Sequence, residues 1–265
     1  MNPGYLSLSM EQVLVSLAII FLAIGLMWIN RTGLERTILV GAIRSFFQLW
    51  LIGYVLLWLF QSDHPGWLLL YVEVMILVGA WTSAPREKGV TVYTYLHLWI
   101  ALHGAVLVIG GFLFWAVLRT PMLLNPHLLI PLMGMLIGNS ANGAALAVHR
   151  LRGELQSHRG VIEAALTLGA SPRRAMEPFT AQTLRNALIP MLNSMMLMGI
   201  VQLPGIMTGQ ILAGVLPQEA IRYQIVVVYM LVGAVALTCH VTVRLELRGF
   251  FNRHWALADG VLVGK

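Results

Sequence analysis

Few residues in this chain could do chemistry, and most sit in apolar surroundings. Glu73 lies in Leu70-Tyr71-Val72-Glu73-Val74-Met75, where a carboxylate is costly unless it is protonated, paired or beside water. It is the first candidate for contact with a cation, although a protonated Glu73 bonded to a neighbouring helix would meet the same cost. Gln48 and a polar patch of Asn139, Ser140 and Asn142 offer amides and a hydroxyl. These suit contact with a passing solute or bonding between helices, and Gly138 and Gly143 beside them allow close approach. Asn193 and Gln202 could face the same pathway. Met191, Met195 and Met198 recur at i, i+4 and i+7, a thioether stripe that suits copper(I) better than iron(II) and equally suits adaptable packing at a seam between subunits. Cys239 and His240 are neighbours on a helix and point about 100° apart, a poor geometry for joint chelation. His97, His103, His149 and His158 lack ligand spacing with one another, so the sequence assigns no metal site. No His/Glu/Ser constellation converges in the motifs, which leaves a lipid-processing enzyme without support.

These residues must be held by membrane helices. Hydrophobic residues make up 58% of the 265 positions and charged ones 11%, against about a quarter charged in a soluble domain. The fold class that follows is an all-α, multi-pass membrane protein, a single transmembrane domain over 1–265. A hydrocarbon core about 30 Å thick needs roughly 20 apolar residues per helix, and the stretches 11–30, 38–60, 66–84, 97–118, 127–149, 186–213 and 223–243 qualify. Placing the N-terminus outside puts Arg31, Arg36, Arg86, Lys88, Arg150, Arg152, Arg159, Arg173, Arg174, Arg185, Arg244, Arg248, Arg253 and Lys265 in inner loops and leaves only Arg119 and Arg222 outside. This asymmetry sets the N-terminus out and the C-terminus in. Arg44 falls inside the second stretch, where its long stem can carry the guanidinium to the headgroups. The formal charge of +6 is spread over short loops and reads as orientation, not as a nucleic-acid surface. The lone Cys239 excludes an internal disulfide. The first stretch ends in Trp28-Ile29-Asn30-Arg31 without a small-residue cleavage site and reads as a retained span.

The sixth stretch carries Pro190, Gly199, Pro204 and Gly205. Proline removes a backbone donor, so Leu203-Pro204-Gly205 should bend or break this helix, either as a pathway feature or as a packing kink. Before it comes the one long polar segment, the cytosolic loop 150–185. Leu155, Ile162 and Leu166 share a face by helical spacing, Gly169 suits a helix stop, and Ser171-Pro172 suits the start of the next helix. Two short helices joined by a turn would make a docking face for a partner, with small Ala164 and Ala165 permitting close approach; an amphipathic helix resting on headgroups is the alternative. The chain contains no Gly-x-x-x-x-Gly-Lys-Ser/Thr phosphate loop, so ATP would bind elsewhere.

Glu163, Ala164, Ala165 and Gly169 match the cytosolic loop of the membrane subunits of ATP-binding cassette transporters, which this chain resembles. The Ile-x-Leu-Pro element that importers place soon after the glycine has no counterpart there; Leu188-Ile189-Pro190 comes much later. A closer resemblance is to the FetB-like family, also known as UPF0014: bacterial permeases associated with iron export, with plant relatives linked to aluminium tolerance. It is carried by Gly134-Met135-Leu136-Ile137-Gly138-Asn139, the 163–172 loop, Ala187-Leu188-Ile189-Pro190, Leu203-Pro204-Gly205-Ile206-Met207-Thr208-Gly209 and Ala220-Ile221-Arg222-Tyr223-Gln224, with Arg44 and Gln48. The resemblance implies a permease subunit of the bacterial inner membrane, half of a homodimer, exporting iron or another metal. A separate cytosolic ATPase would bind ATP and Mg and dock on Glu163, Ala164, Ala165, Gly169, Ser171 and Pro172, so no cofactor is expected in this chain. Glu73, Gln48, Asn139, Asn142, Asn193, Gln202 and Pro204 are the candidate pathway residues. An ion-coupled secondary carrier working through Glu73, and an ATP-driven permease for a small organic solute, remain the rival expectations.

Overall fold

The computed structural model describes residues 9–61, 64–84, 92–119, 125–252 and 255–257; Arg86, Lys88, Arg253 and Lys265 lie outside the described residues. The described residues form helices and no sheet strand. Their packing divides the chain into two compact units, Met1–His64 and Pro65–Lys265, where the sequence offers no boundary.

The first unit is a hairpin of α1 (Met10–Ile29) and α2 (Glu35–Gln61). α1 starts at a reciprocal cap: the Ser9 N–H donates to Gln12 Oε1 at 2.9 Å, and the Gln12 N–H donates to the Ser9 hydroxyl at 3.3 Å. This satisfies two of the donors that a helix start leaves open. The turn uses Gly33 at φ 71°, a left-handed conformation that glycine adopts without Cβ strain. α1 buries none of its residues, and α2 buries only Leu59. Apolar side chains such as Val15, Ile19, Phe47 and Leu49 stand outward, as suits helices whose solvent is hydrocarbon.

The second unit contains α3 (Pro65–Ser83), α4 (Val92–Ala105, prolonged by π-helical turns Val106–Gly110 and Leu113–Leu118), α5 (Pro126–Ser157), α6 (Arg159–Thr167), α7 (Pro172–Leu197), α8 (Gly205–Leu212) and α9 (Pro217–Gly249). Its core is the pairing of α5 with α9, flanked by α3, α4 and α7. Leu129, Met133, Leu136, Ala144 and Ala147 of α5 are buried there, as are Leu231, Ala234, Val235 and Cys239 of α9. Gly143 makes the pairing close, since a Cβ at that position would lie 2.7 Å from Val235 Cγ1 and 3.1 Å from Cys239 Sγ. At Gly138 a Cβ would meet nothing within 4 Å, so only one of the two glycines expected to permit close approach does so. Gly143→Ala should therefore cost about 1–3 kcal/mol through overpacking, measured as a lower melting temperature in detergent, while Gly138→Ala leaves that temperature unchanged.

Among the described residues six helices are long and apolar enough to cross a membrane: α1, α2, α3, α4 through Leu118, α5 and α9. They correspond to six of the seven expected stretches, α1 and α3 each ending one residue earlier than expected. The seventh, 186–213, is not one span. It is the last part of α7, an interruption over 198–204, and α8. The interruption also begins earlier than Leu203-Pro204-Gly205: α7 ends at Leu197, Met198 is extended, and Gly199 takes φ 86°. Pro204 instead sits extended at the position that starts α8. A left-handed glycine ends a helix as firmly as a proline, and α7 accommodates Pro178 and Pro190 inside it.

Candidate functional site

α5 has 32 residues, a length of about 48 Å, so its last turns run beyond a hydrocarbon layer about 30 Å thick. They carry α6 outward. α6 ends in a complete glycine stop: the Gly169 N–H donates to Leu166 O and the Ala170 N–H to Ala165 O, each at 3.0 Å, with Gly169 at φ 91°. That pattern uses up the carbonyls a helix end leaves open and fixes the angle at which the next helix departs. Ser171 then occupies the cap of α7 with Pro172 in the first turn. Its side chain makes no capping bond, contrary to the expected role; its backbone carbonyl accepts from the Arg174 and Ala175 N–H groups, both at 2.9 Å.

The inner face of this elbow is anchored. Leu155 and Ile162 are fully buried, though they belong to α5 and α6 respectively and not to one helix as their spacing suggests. His158, between them, stacks on Phe179 of α7 with ring centroids 4.6 Å apart. Outward stand Ala164, the apolar Val161, and Leu168 at 89% exposure. Glu163 pairs with Arg159 at 2.7 Å along the same helix, both side chains about half exposed.

Below the elbow, three helices are joined by a buried polar knot that sequence reasoning missed. Glu246 of α9, 3% exposed, meets His97 Nδ1 of α4 at 2.7 Å and accepts from the Thr94 hydroxyl at 3.3 Å. Arg152 of α5 donates to the Thr94 oxygen at 3.3 Å and stands 3.7 Å from the Glu246 carboxylate. Thr94 and His97 lie three apart on α4, one face of a helix, and that spacing was the only hint in the sequence.

Glu73 is paired with α4. Its Oε1 accepts from Trp99 Nε1 at 2.9 Å, and its Oε2 lies 2.7 Å from His103 Nε2. His103 Nδ1 lies 3.1 Å from Trp99 O. A carbonyl can only accept, so Nδ1 carries a hydrogen and one further proton is shared between Nε2 and the carboxylate. The pair is then neutral on both members or an ion pair, and either form relieves the cost of a carboxylate in lipid. Trp99 and His103, four apart, reveal a common face that histidine spacing alone does not.

Of the other pathway candidates, Asn139 and Asn142 line one cavity of about 280 Å³ between α5, α7 and α9, with Pro190, Met191 and Ser194 from α7. Asn139 Nδ2 donates to Met135 O of its own helix at 2.8 Å, which leaves its oxygen for a solute or water. Asn193 is exposed on α7, Gln202 is exposed in the interruption, and Pro204 is buried at the start of α8; none of the three lines this cavity. Gln48 is exposed on α2, in the other unit. The methionine stripe divides: Met191 is buried at the cavity and Met195 is exposed. Cys239 is buried and His240 exposed, the divergence expected of adjacent helical residues. Among the described residues no three His, Cys, Asp or Glu side chains gather as a metal cage.

The model of the uncharacterised protein family UPF0014 matches residues 10–251. The chain belongs to the UPF0014 family. It is 35% identical to the UPF0014 membrane protein YjkA of Bacillus subtilis over 253 residues, covering 96% of this chain and 98% of that one. Identity to the Protein ALUMINUM SENSITIVE 3 of Arabidopsis thaliana is 32%, covering 95% and 91%. Identity to the probable iron export permease protein FetB of Escherichia coli is also 32%, covering 92% and 93%. No solved structure matches the chain. This UPF0014 protein is thus a multi-pass integral membrane protein, and both the elbow and the interrupted segment 198–204 fall within the matched region.

Proposed function

We propose that this UPF0014 chain is the permease subunit of an ATP-binding cassette transporter, with α6 seated in a groove of a separate cytosolic ATPase that binds ATP and Mg. The observation that carries the reading is the elbow itself: a short helix with an outward surface of Ala164, Val161 and Leu168, stopped by a fully bonded glycine turn and pinned on its inner face. A loop that transmits force must not yield, and exposed apolar side chains on a polar loop need a partner. The excess of arginine in the loops on its side supports a cytosolic position for this elbow.

An ATPase with two-fold symmetry docks two identical loops, which favours a homodimer of this chain. The interruption over 198–204 supports it, because Ile200 at 92% exposure, Val201 and Leu203 surround backbone that a bilayer tolerates only against protein or a water-filled path. A second copy placed there would bring two sets of Asn193 and Gln202 to one seam. Iron or another metal, exported across the bacterial inner membrane, is the favoured cargo on the strength of the relative named as a probable iron export permease.

The test is co-reconstitution with a candidate ATPase and measurement of ATP hydrolysis against a panel of metal ions and small organic anions. Stimulation by a metal is the expected result; stimulation by an organic anion alone would reassign the cargo. The Glu73 and His103 pair favours one rival, a carrier driven by protons. Liposomes holding this chain alone should show no uptake when a proton gradient is imposed, and uptake there would replace the ATP-driven reading.

A further inference from the structure

A cleft of about 460 Å³ lies between the first turn of α7 and the end of α9, and it is strongly basic. Arg173 reaches it from α7 and Arg244 and Arg248 from α9, one turn apart, and Phe251 and Trp255 also line it. Its lining holds no acidic residue, and none of the three arginines has an acidic partner among the described residues. Ser171 also lines it with a side chain unused in capping. Unneutralised guanidinium groups converging on one concavity make a fork of donors that matches a phosphate group. Arginines at a helix end also complement its dipole, but that role asks neither for a third arginine from another helix nor for a cleft.

From these features we infer that the cleft holds the phosphate of an anionic phospholipid. The surroundings favour a lipid over a soluble phosphate. α9 is long and apolar enough to cross a membrane, and Trp255 is a residue type that settles at the headgroup level. A second groove, of about 220 Å³, shares Arg173, Arg244 and Leu247 with the cleft and continues between α7 and α9 past Glu177, Thr180 and His240 as well as Ala181, Leu184 and Val243. Its mixed lining gives no apolar bed for an acyl chain, so the lipid is held by its headgroup. Basic pockets between membrane helices recognise anionic headgroups in this way. Because Ser171 and Arg173 belong to the helix that begins at the glycine stop, the bound lipid braces the elbow from its membrane side.

Native mass spectrometry of the full chain in detergent, titrated with phosphatidylglycerol or phosphatidylcholine, tests this inference. The wild type should retain phosphatidylglycerol preferentially. The Arg244→Gln/Arg248→Gln pair should weaken that retention about tenfold, the loss of charge-assisted bonds, and leave phosphatidylcholine unchanged. Arg222→Gln, at the opposite end of α9, should change neither. Arg244→Lys/Arg248→Lys keeps the charge and guards against misfolding in the glutamine pair: it should retain intermediate affinity and elute as a single species. Equal phosphatidylglycerol retention by wild type and both pairs would overturn the site. Displacement of the lipid by millimolar inorganic phosphate would overturn the lipid as its source, and occlusion of the cleft by a bound ATPase with no lipid retained would make it a protein contact instead. None of these outcomes depends on whether the chain transports a metal.

Discussion

Under the proposed docking of α6 on an ATPase, Glu163→Arg should lower ATP-coupled transport at least about tenfold while leaving membrane insertion and elution profile unchanged. The native pair of Glu163 with Arg159 is exposed, and such a pair within one helix is worth only about 0.3–0.5 kcal/mol. Reversing the charge places two arginines four apart, at a similar small cost. A large functional loss therefore cannot come from unfolding; it must come from the surface presented to a partner. Arg159→Ala breaks the same pair but keeps the carboxylate, and transport should survive it. Measured by co-purification with the ATPase and by ATP-driven flux, equal losses in both variants would mean that the ion pair matters and docking does not.

Glu246→Ala should be the most destabilising of the substitutions considered. Its carboxylate is the acceptor shared by Thr94, His97 and Arg152, and removing it leaves a guanidinium buried without its counter-charge. Such a loss costs about 3–5 kcal/mol. Removing both charges in Glu246→Leu/Arg152→Met should restore most of that stability, since a well-packed apolar pair often equals the buried ion pair it replaces. Thermal unfolding in detergent reads both variants. A double variant no better than the single would show that the bonds to Thr94 and His97, and not the charge balance, hold the three helices.

Much of this architecture is legible in the sequence because bilayer helices obey strong local rules. Length and apolarity give six of the seven expected spans, and Gly169 stops α6 where a glycine should. The interruption was legible as a fact but not in position, because proline draws attention and a left-handed Gly199 does not. Long-range pairs were not legible. Glu73 lies 30 residues from His103, and Glu246 lies 149 from His97, so only the packing of α3, α4, α5 and α9 brings them together. His97 and His103 read alone lack ligand spacing, yet each turns out to be one half of a carboxylate pair. Ser171 fails as a side-chain cap for a related reason: its extended backbone already accepts the bonds that a helix start needs.

α7 runs without interruption from the glycine stop to Leu197, 26 residues in all, or about 39 Å. A rod of that length pivoting by about 10° around its midpoint would move each tip by about 3 Å in opposite directions. A small push on one tip is thus delivered at the other as a displacement comparable with the radius of a hydrated ion. Leverage of this kind puts the mechanical burden on the stiffness of a single helix, and Pro178 and Pro190, each without a backbone donor, are the points where that stiffness is least.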